Sequence, residues 1–167
     1  MRLLFLEPFH GGSHKDFSLG LKAHSRHEID LLTLPDIFWK WRMAAAAYEF
    51  LNRIESISAY DGIIATDMMN VGDFIIQFRE KKVPPVLLYF HENQLTYPQS
   101  SWQKHGVHFP GAVNISSALA SGHVVFNINY HRKAFISAVK KYCYQSPDMD
   151  FSWVVRDIQS KTSVIYP

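Results

Sequence analysis

Apolar residues along this chain gather into short, nearly continuous runs, at residues 2–7, 28–34, 62–66, 86–90, 123–127 and 162–166. Runs that are apolar at almost every position suit parallel strands buried on both faces. Between them the apolar spacing changes to three and four. Over residues 42–58, Met43, Ala47, Phe50, Leu51, Ile54 and Ile57 keep that interval, which predicts a helix with one apolar face. Further helices are predicted over 13–25, 71–81, 111–121, 130–142 and 148–160. Strand and helix alternate throughout. That order predicts a single α/β domain over 1–167, Rossmann-like and doubly wound, with a mostly parallel sheet and helices on both faces. Residues 99–108 form the longest polar stretch without periodicity and are expected to be a mobile loop. The last predicted strand runs into Pro167, where the chain stops, as expected of a piece cut where a further domain begins.

Composition narrows the class. A chain of 167 residues, 47% apolar and 19% charged, has the material for one real core. The net charge of +2 does not mark a nucleic-acid binder in bulk and leaves room only for a local basic patch. Cys143 is the one cysteine, which excludes an intrachain disulfide and a cysteine-based metal cluster. It sits in a helical pattern without a nearby base and is expected to be inert. No apolar run approaches the roughly 20 residues of a membrane span. The opening MRLLFLEPF lacks the features of a signal peptide. The expectation is a cytoplasmic protein without a membrane partner.

In an open α/β sheet, ligands bind in the crevice at the carboxyl ends of the strands. The segments that follow the strands are all polar here: Glu7 to Lys15, Asp67 to Asn70, His91 to Gln94, and Asn127 to Asn129. Gly11-Gly12-Ser13 precedes a helix. The glycines allow close backbone approach to a phosphate or sugar, and Ser13 is placed to cap the helix. The same residues also suit a plain capped turn. His91-Glu92 begins like a zinc-protease motif, but Leu95 stands where the second histidine belongs. No metal site is therefore expected. His91, Glu92, Asn93 and Gln94 at a strand end read as ligand-facing groups, against the alternative of a structural turn. Phe38-Trp39-Lys40-Trp41-Arg42 interleaves aromatics with cations, a pattern that stacks on bases and meets phosphates. It equally suits a helix start whose tryptophans cover the sheet.

The segments EPFHGGSHK, FWKWR, YFHENQLTYP and VVFN, in this order, resemble the N-terminal domain of the tRNA-queuosine α-mannosyltransferase family, also described as glycosyltransferase-like domain-containing proteins. The resemblance runs from Arg2 to Pro167, and YFHENQLTYP is its most specific part. It implies the N-terminal half of a GT-B glycosyltransferase, in which two Rossmann-like domains face a cleft. It also implies transfer of mannose from GDP-mannose to queuosine in an aspartate tRNA, with retention at the sugar. The donor-binding C-terminal domain is absent from this chain, so turnover by the chain alone is not expected. Carried over residue by residue, the resemblance implies donor-phosphate contact by Gly11, Gly12 and Ser13 and contact of His91 with the transferred sugar. On the residues themselves, Glu92 is expected to join His91 as a catalytic group, His14, Asp67, Asn93, Gln94, Tyr97 and Asn127 to bind substrate, and Trp39, Trp41 and Arg42 to touch tRNA. No cofactor is implied beyond the nucleotide-sugar donor. Two other readings remain open on the residues: a binding module for nucleotide, sugar or RNA without catalysis, and a GT-B enzyme with another acceptor.

Overall fold

The structure, a computed structural model, describes residues 1–78, 82–97 and 109–167. The elements run β1 Arg2–Glu7, α1 Gly12–His24, β2 Glu28–Thr33, α2 Trp39–Leu51, a 3-10 turn Ile57–Ala59, β3 Gly62–Thr66, α3 Val71–Ile76, β4 Val86–Phe90, α4 Phe109–Ala120, β5 His123–Phe126, α5 Asn129–Cys143, α6 Ser152–Ser160 and β6 Thr162–Val164. The strands form one sheet in the order β2-β1-β3-β4-β5-β6. Every pairing is parallel. The fold is therefore Rossmann-like α/β, and the sheet is fully parallel among the described residues.

Strand side chains alternate between faces, and the two faces are covered unequally. Leu4, Leu6, Ile63, Ala65, Leu88, Phe90, Val124 and Phe126 point to one side. There they share a single buried cluster with Ala46, Phe50, Phe74, Ile115, Phe135 and Ile158 from α2 to α6. Phe90 and Phe126 stack at 5.0 Å in the middle of it. The opposite face carries Phe5 and Tyr89, and α1 covers it through Phe17, which stacks on Tyr89 at 4.3 Å. No helix among the described residues is long and apolar enough to cross a membrane.

Several predicted boundaries shift for local reasons. The helix expected over 42–58 starts at Trp39 and stops at Leu51, where Asn52 turns its N–H onto Tyr48 and Phe50. Ile57 still reaches the core, but from the 3-10 turn. Apolar spacing alone cannot distinguish a continuing helix from a break that keeps the same phase. The helix expected from 148 begins at Ser152, because Asp150 accepts the Ser152 N–H at 2.8 Å and ends the loop there. Ser13 does not cap α1; the cap is Gly11, whose backbone is extended and which has no side chain to offer. α3 is described over Val71–Ile76, capped by Asn70 on the Asp73 N–H at 3.1 Å. The stretch 99–108 and the end of the helix expected to 81 lie outside the described residues.

Candidate active site

The strand order reverses direction between β1 and β3. In doubly wound sheets a crevice opens outside the carboxyl ends at such a switch point. A cleft of about 740 Å3 lies there, lined among others by Gly11, Gly12, Ser13, His14, Trp39, His91, Glu92, Gln94, Tyr97 and Asn127. Residues from the ends of β1, β4 and β5 thus meet, although they are far apart in sequence.

Glu7, the last residue of β1, is fully buried. Its Oε1 accepts the Phe9 N–H at 2.9 Å and faces His14 Nδ1 at 3.2 Å. Its Oε2 is buried without a hydrogen-bond partner. The His14 ring lies 4.1 Å from the His91 ring, tilted by 32°. Phe17 and Tyr89 enclose His91 at 4.9 Å each. Burial, the largest single influence, opposes a charge on His14, but the hydrogen bond to Glu7 and the charges of Asp67, Glu7 and Glu92 together exceed it and raise the His14 pKa. Burial, with the nearby His14 and His131, lowers His91 to about 3. Of the two rings His14 is therefore the one that takes a proton first, next to the first turn of α1. That turn has no acidic residue, and its leading N–H groups lack acceptors within the helix. A cation and a helix N-terminus facing one cleft favour an anion there.

Beneath the cleft a hydrogen-bond scaffold fixes the loops. Asp67 is fully buried, and its Oδ1 accepts the His91 N–H at 2.9 Å. Burial, then the neighbouring Glu92 and Glu7, raise its pKa to about 7 against the opposing pull of His14 and the His91 N–H. Asn127 donates to the His91 carbonyl at 3.0 Å and pairs through Oδ1 with His131 Nδ1 at 2.9 Å. Asn114 on α4 donates to the Asp67 carbonyl at 2.9 Å and accepts the Gln94 N–H at 2.7 Å. Ser117, one turn on, accepts the Val71 N–H and donates to the Met69 carbonyl, both at 3.0 Å. α4 thereby pins the loops after β3 and β4 against each other.

The residues singled out from sequence fall into three groups. Gly11, Gly12, Ser13, His14, Trp39, His91, Glu92, Gln94, Tyr97 and Asn127 share the cleft. Asp67 supports it from below. Asn93 has both side-chain atoms on Thr96, at 2.8 and 3.0 Å, and lines a smaller adjoining hollow. Trp41 and Arg42 line a separate groove with Pro35 and Glu49, and Arg42 donates to the Pro35 carbonyl at 3.1 Å. Asn114 and Ser117 escaped the sequence reading, and Glu7 entered it only as the start of a polar segment, without a role. Each had a faint signal: a carboxylate ending an apolar strand, and polar residues one turn apart on a helix that is otherwise apolar.

Glu7, His14 and His91 bring one donor atom each within 4.8 Å of one another, the one such group among the described residues. A tetrahedral ion about 2.0 Å from each donor needs them roughly 3.3 Å apart. The group would have to contract: Glu7 Oε1 already accepts the Phe9 N–H and meets His14 Nδ1, while Glu7 Oε2 and His91 Nε2 are buried without partners. As it stands the arrangement is a Glu7–His14 contact at 3.2 Å with the His91 ring against it.

Comparison with known proteins agrees with the motifs. The family described as tRNA-queuosine alpha-mannosyltransferase N-terminal matches residues 2–167. A tRNA-queuosine alpha-mannosyltransferase of Drosophila melanogaster is 28% identical over 165 residues, covering 98% of this chain and 44% of the relative. The chain thus spans less than half the length of that relative. On the extent of the family match, this chain belongs to the tRNA-queuosine alpha-mannosyltransferase N-terminal family.

Proposed function

We propose that the chain is the N-terminal, acceptor-side half of a cytoplasmic GT-B transferase. That enzyme moves mannose from GDP-mannose to queuosine in an aspartate tRNA, with retention and without a resident metal. The observation that carries the reading is the His14–His91 contact at the mouth of α1. It is supported by the family and by the name of the Drosophila relative.

In this reading the leaving diphosphate meets the N–H groups of Gly12, Ser13 and the imidazolium of His14. These groups stabilise the charge that develops as the sugar–phosphate bond breaks. His91, neutral at working pH, contacts the transferred sugar. Glu92 and Gln94, joined at 3.3 Å, orient the acceptor hydroxyl on the same sugar face. A second domain in cis supplies most of the contacts to the nucleotide, so this chain by itself does not turn over.

The test is a transfer assay with the complete protein that carries this domain, GDP-mannose and queuosine-containing tRNA. His91→Ala is expected to lower turnover about 100-fold or more, as loss of one positioned polar group does, while the fold persists by circular dichroism. An unchanged rate removes His91 from the mechanism. Absence of transfer by the unaltered complete protein rejects the reading itself.

A further inference from the structure

Away from the cleft, α5 and α6 enclose a groove of about 660 Å3 whose lining is predominantly cationic. Arg132, Lys133, Lys140 and Arg156 line it, and Asp150 is the only acid that does. Asp150 is engaged with the Ser152 N–H and hydroxyl. α5 carries Arg132, Lys133, Lys140 and Lys141 and has no Asp or Glu anywhere in Asn129–Cys143. None of these cations takes part in an ion pair among the described residues. The chain as a whole is only +2, so the concentration of positive charge here is local.

The groove also has stacking surface. Tyr144 is 71% exposed at its edge, with Lys140 lying 5.9 Å over its ring. The floor is apolar, from Ile136, Phe151 and Val155. The helix that bears the cations starts at the cleft. Its first turn holds Tyr130, 79% exposed, which lines one hollow together with His91, Glu92, Tyr97 and Asn127. From there α5 extends about 22 Å at 1.5 Å per residue. Cations outside any ion pair, set beside exposed aromatics, suit a nucleic-acid backbone, with Asp150 beside Arg156 the one acid that offsets them in the lining.

We propose that the α5–α6 groove grips the sugar-phosphate backbone of the RNA acceptor while the modified base reaches the cleft beside Tyr130. This rests on the transferase reading above and adds where the acceptor docks. It also moves the RNA contact away from Trp41 and Arg42, whose groove contains the closed Glu49–Arg53 ion pair.

The experiment is fluorescence anisotropy of an unmodified tRNA transcript with this chain, from about 50 to 200 mM salt, the range over which phosphate contacts are strongly screened. The groove variant is Lys133→Gln with Lys140→Gln and Arg156→Gln. Arg132 is left in place because it bonds Thr162 at 2.8 Å. The control makes the same charge change at Lys22, Arg26 and Lys82. The groove variant is expected to bind about 10- to 100-fold more weakly, with a log–log salt slope shallower by about 2–3, while the control binds like the parent. Equal losses in both variants would reduce the effect to net charge and overturn the proposal. So would no loss in the groove variant, no tRNA binding by the parent chain, or equal binding of a polyglutamate peptide. Failure of the transferase reading shows elsewhere, as absence of transfer by the complete protein.

Discussion

The imidazoles of His14 and His91 lie 4.1 Å apart, and their pKa values move in opposite directions. Two adjacent rings in a partly buried site cannot both be charged. Glu7 decides which one is, because its carboxylate sits 3.2 Å from His14 Nδ1 and its hydrogen bond favours the charged form of that ring. For His14 the folded pKa lies above the ordinary 6.5. Its stabilising effect is therefore present below pH 6.5 and is lost as pH rises through the folded value. Glu7→Gln keeps the shape and an acceptor for Phe9 but removes the charge. His14 is expected to titrate at lower pH by NMR, and the fold to weaken by about 1–3 kcal/mol near pH 6. An unmoved His14 titration rejects the pairing.

Asp67 contributes with the same sign as His14, over a lower window. Between its ordinary 3.8 and about 7, the folded chain keeps a proton that the unfolded chain releases. Stability from this group therefore falls as pH rises across that window. His91, at about 3, acts with reversed sign: the fold gains stability as pH rises from about 3 toward 6.5. Asp67→Asn stays neutral at every pH and keeps an acceptor for the His91 N–H. Relative to the parent, the variant is expected to gain about 1–4 kcal/mol between pH 4 and pH 7. Urea unfolding at the two pH values measures this. A difference that is the same at both would refute the buried, proton-holding carboxyl.

Asn114 bonds two loops at once, through the Asp67 carbonyl and the Gln94 N–H. Asn114→Ala leaves both backbone groups buried without partners. A loss of about 2–4 kcal/mol is expected in chemical denaturation. Asn114→Asp keeps the acceptor for Gln94 but loses the donor to Asp67, so it is expected to recover only part of that loss. Full recovery would show that the Asp67 contact contributes nothing.

Gly12 opens α1 at φ +49, and Phe38 caps α2 at φ 52. Space around Gly12 is open, so Gly12→Ala tests conformation alone and is expected to cost about 1 kcal/mol. Phe38 is the reverse case, a bulky exposed residue in the left-handed region. Phe38→Gly is expected to be neutral or to stabilise by up to about 1 kcal/mol, because relief of strain offsets the added chain entropy. Thermal unfolding reads both, and a cost above 1 kcal/mol for Phe38→Gly would mean that the ring packs on the cleft rim.

The order of residues by itself determined the architecture. Short continuous apolar runs alternating with apolar spacing of three and four suit strands buried on both faces and helices that cover them. Strands β1, β3 and β4 accordingly have the limits read from the chain, and polar residues at their carboxyl ends marked the cleft before any coordinates. Periodicity is a local signal, however, and the decisive relations here are not local. That Glu7 raises the His14 pKa, that His14 lies against His91, and that Asn114 ties two distant loops depend on the β2-β1-β3-β4-β5-β6 order, which brings β1 and β4 to either side of β3. Likewise, a lysine-rich helix reads as a solvated face until α6 packs beside it and makes a groove. Only the tertiary structure sets which charges face one another, because Coulomb energy and desolvation depend on distance in space and not on separation along the chain.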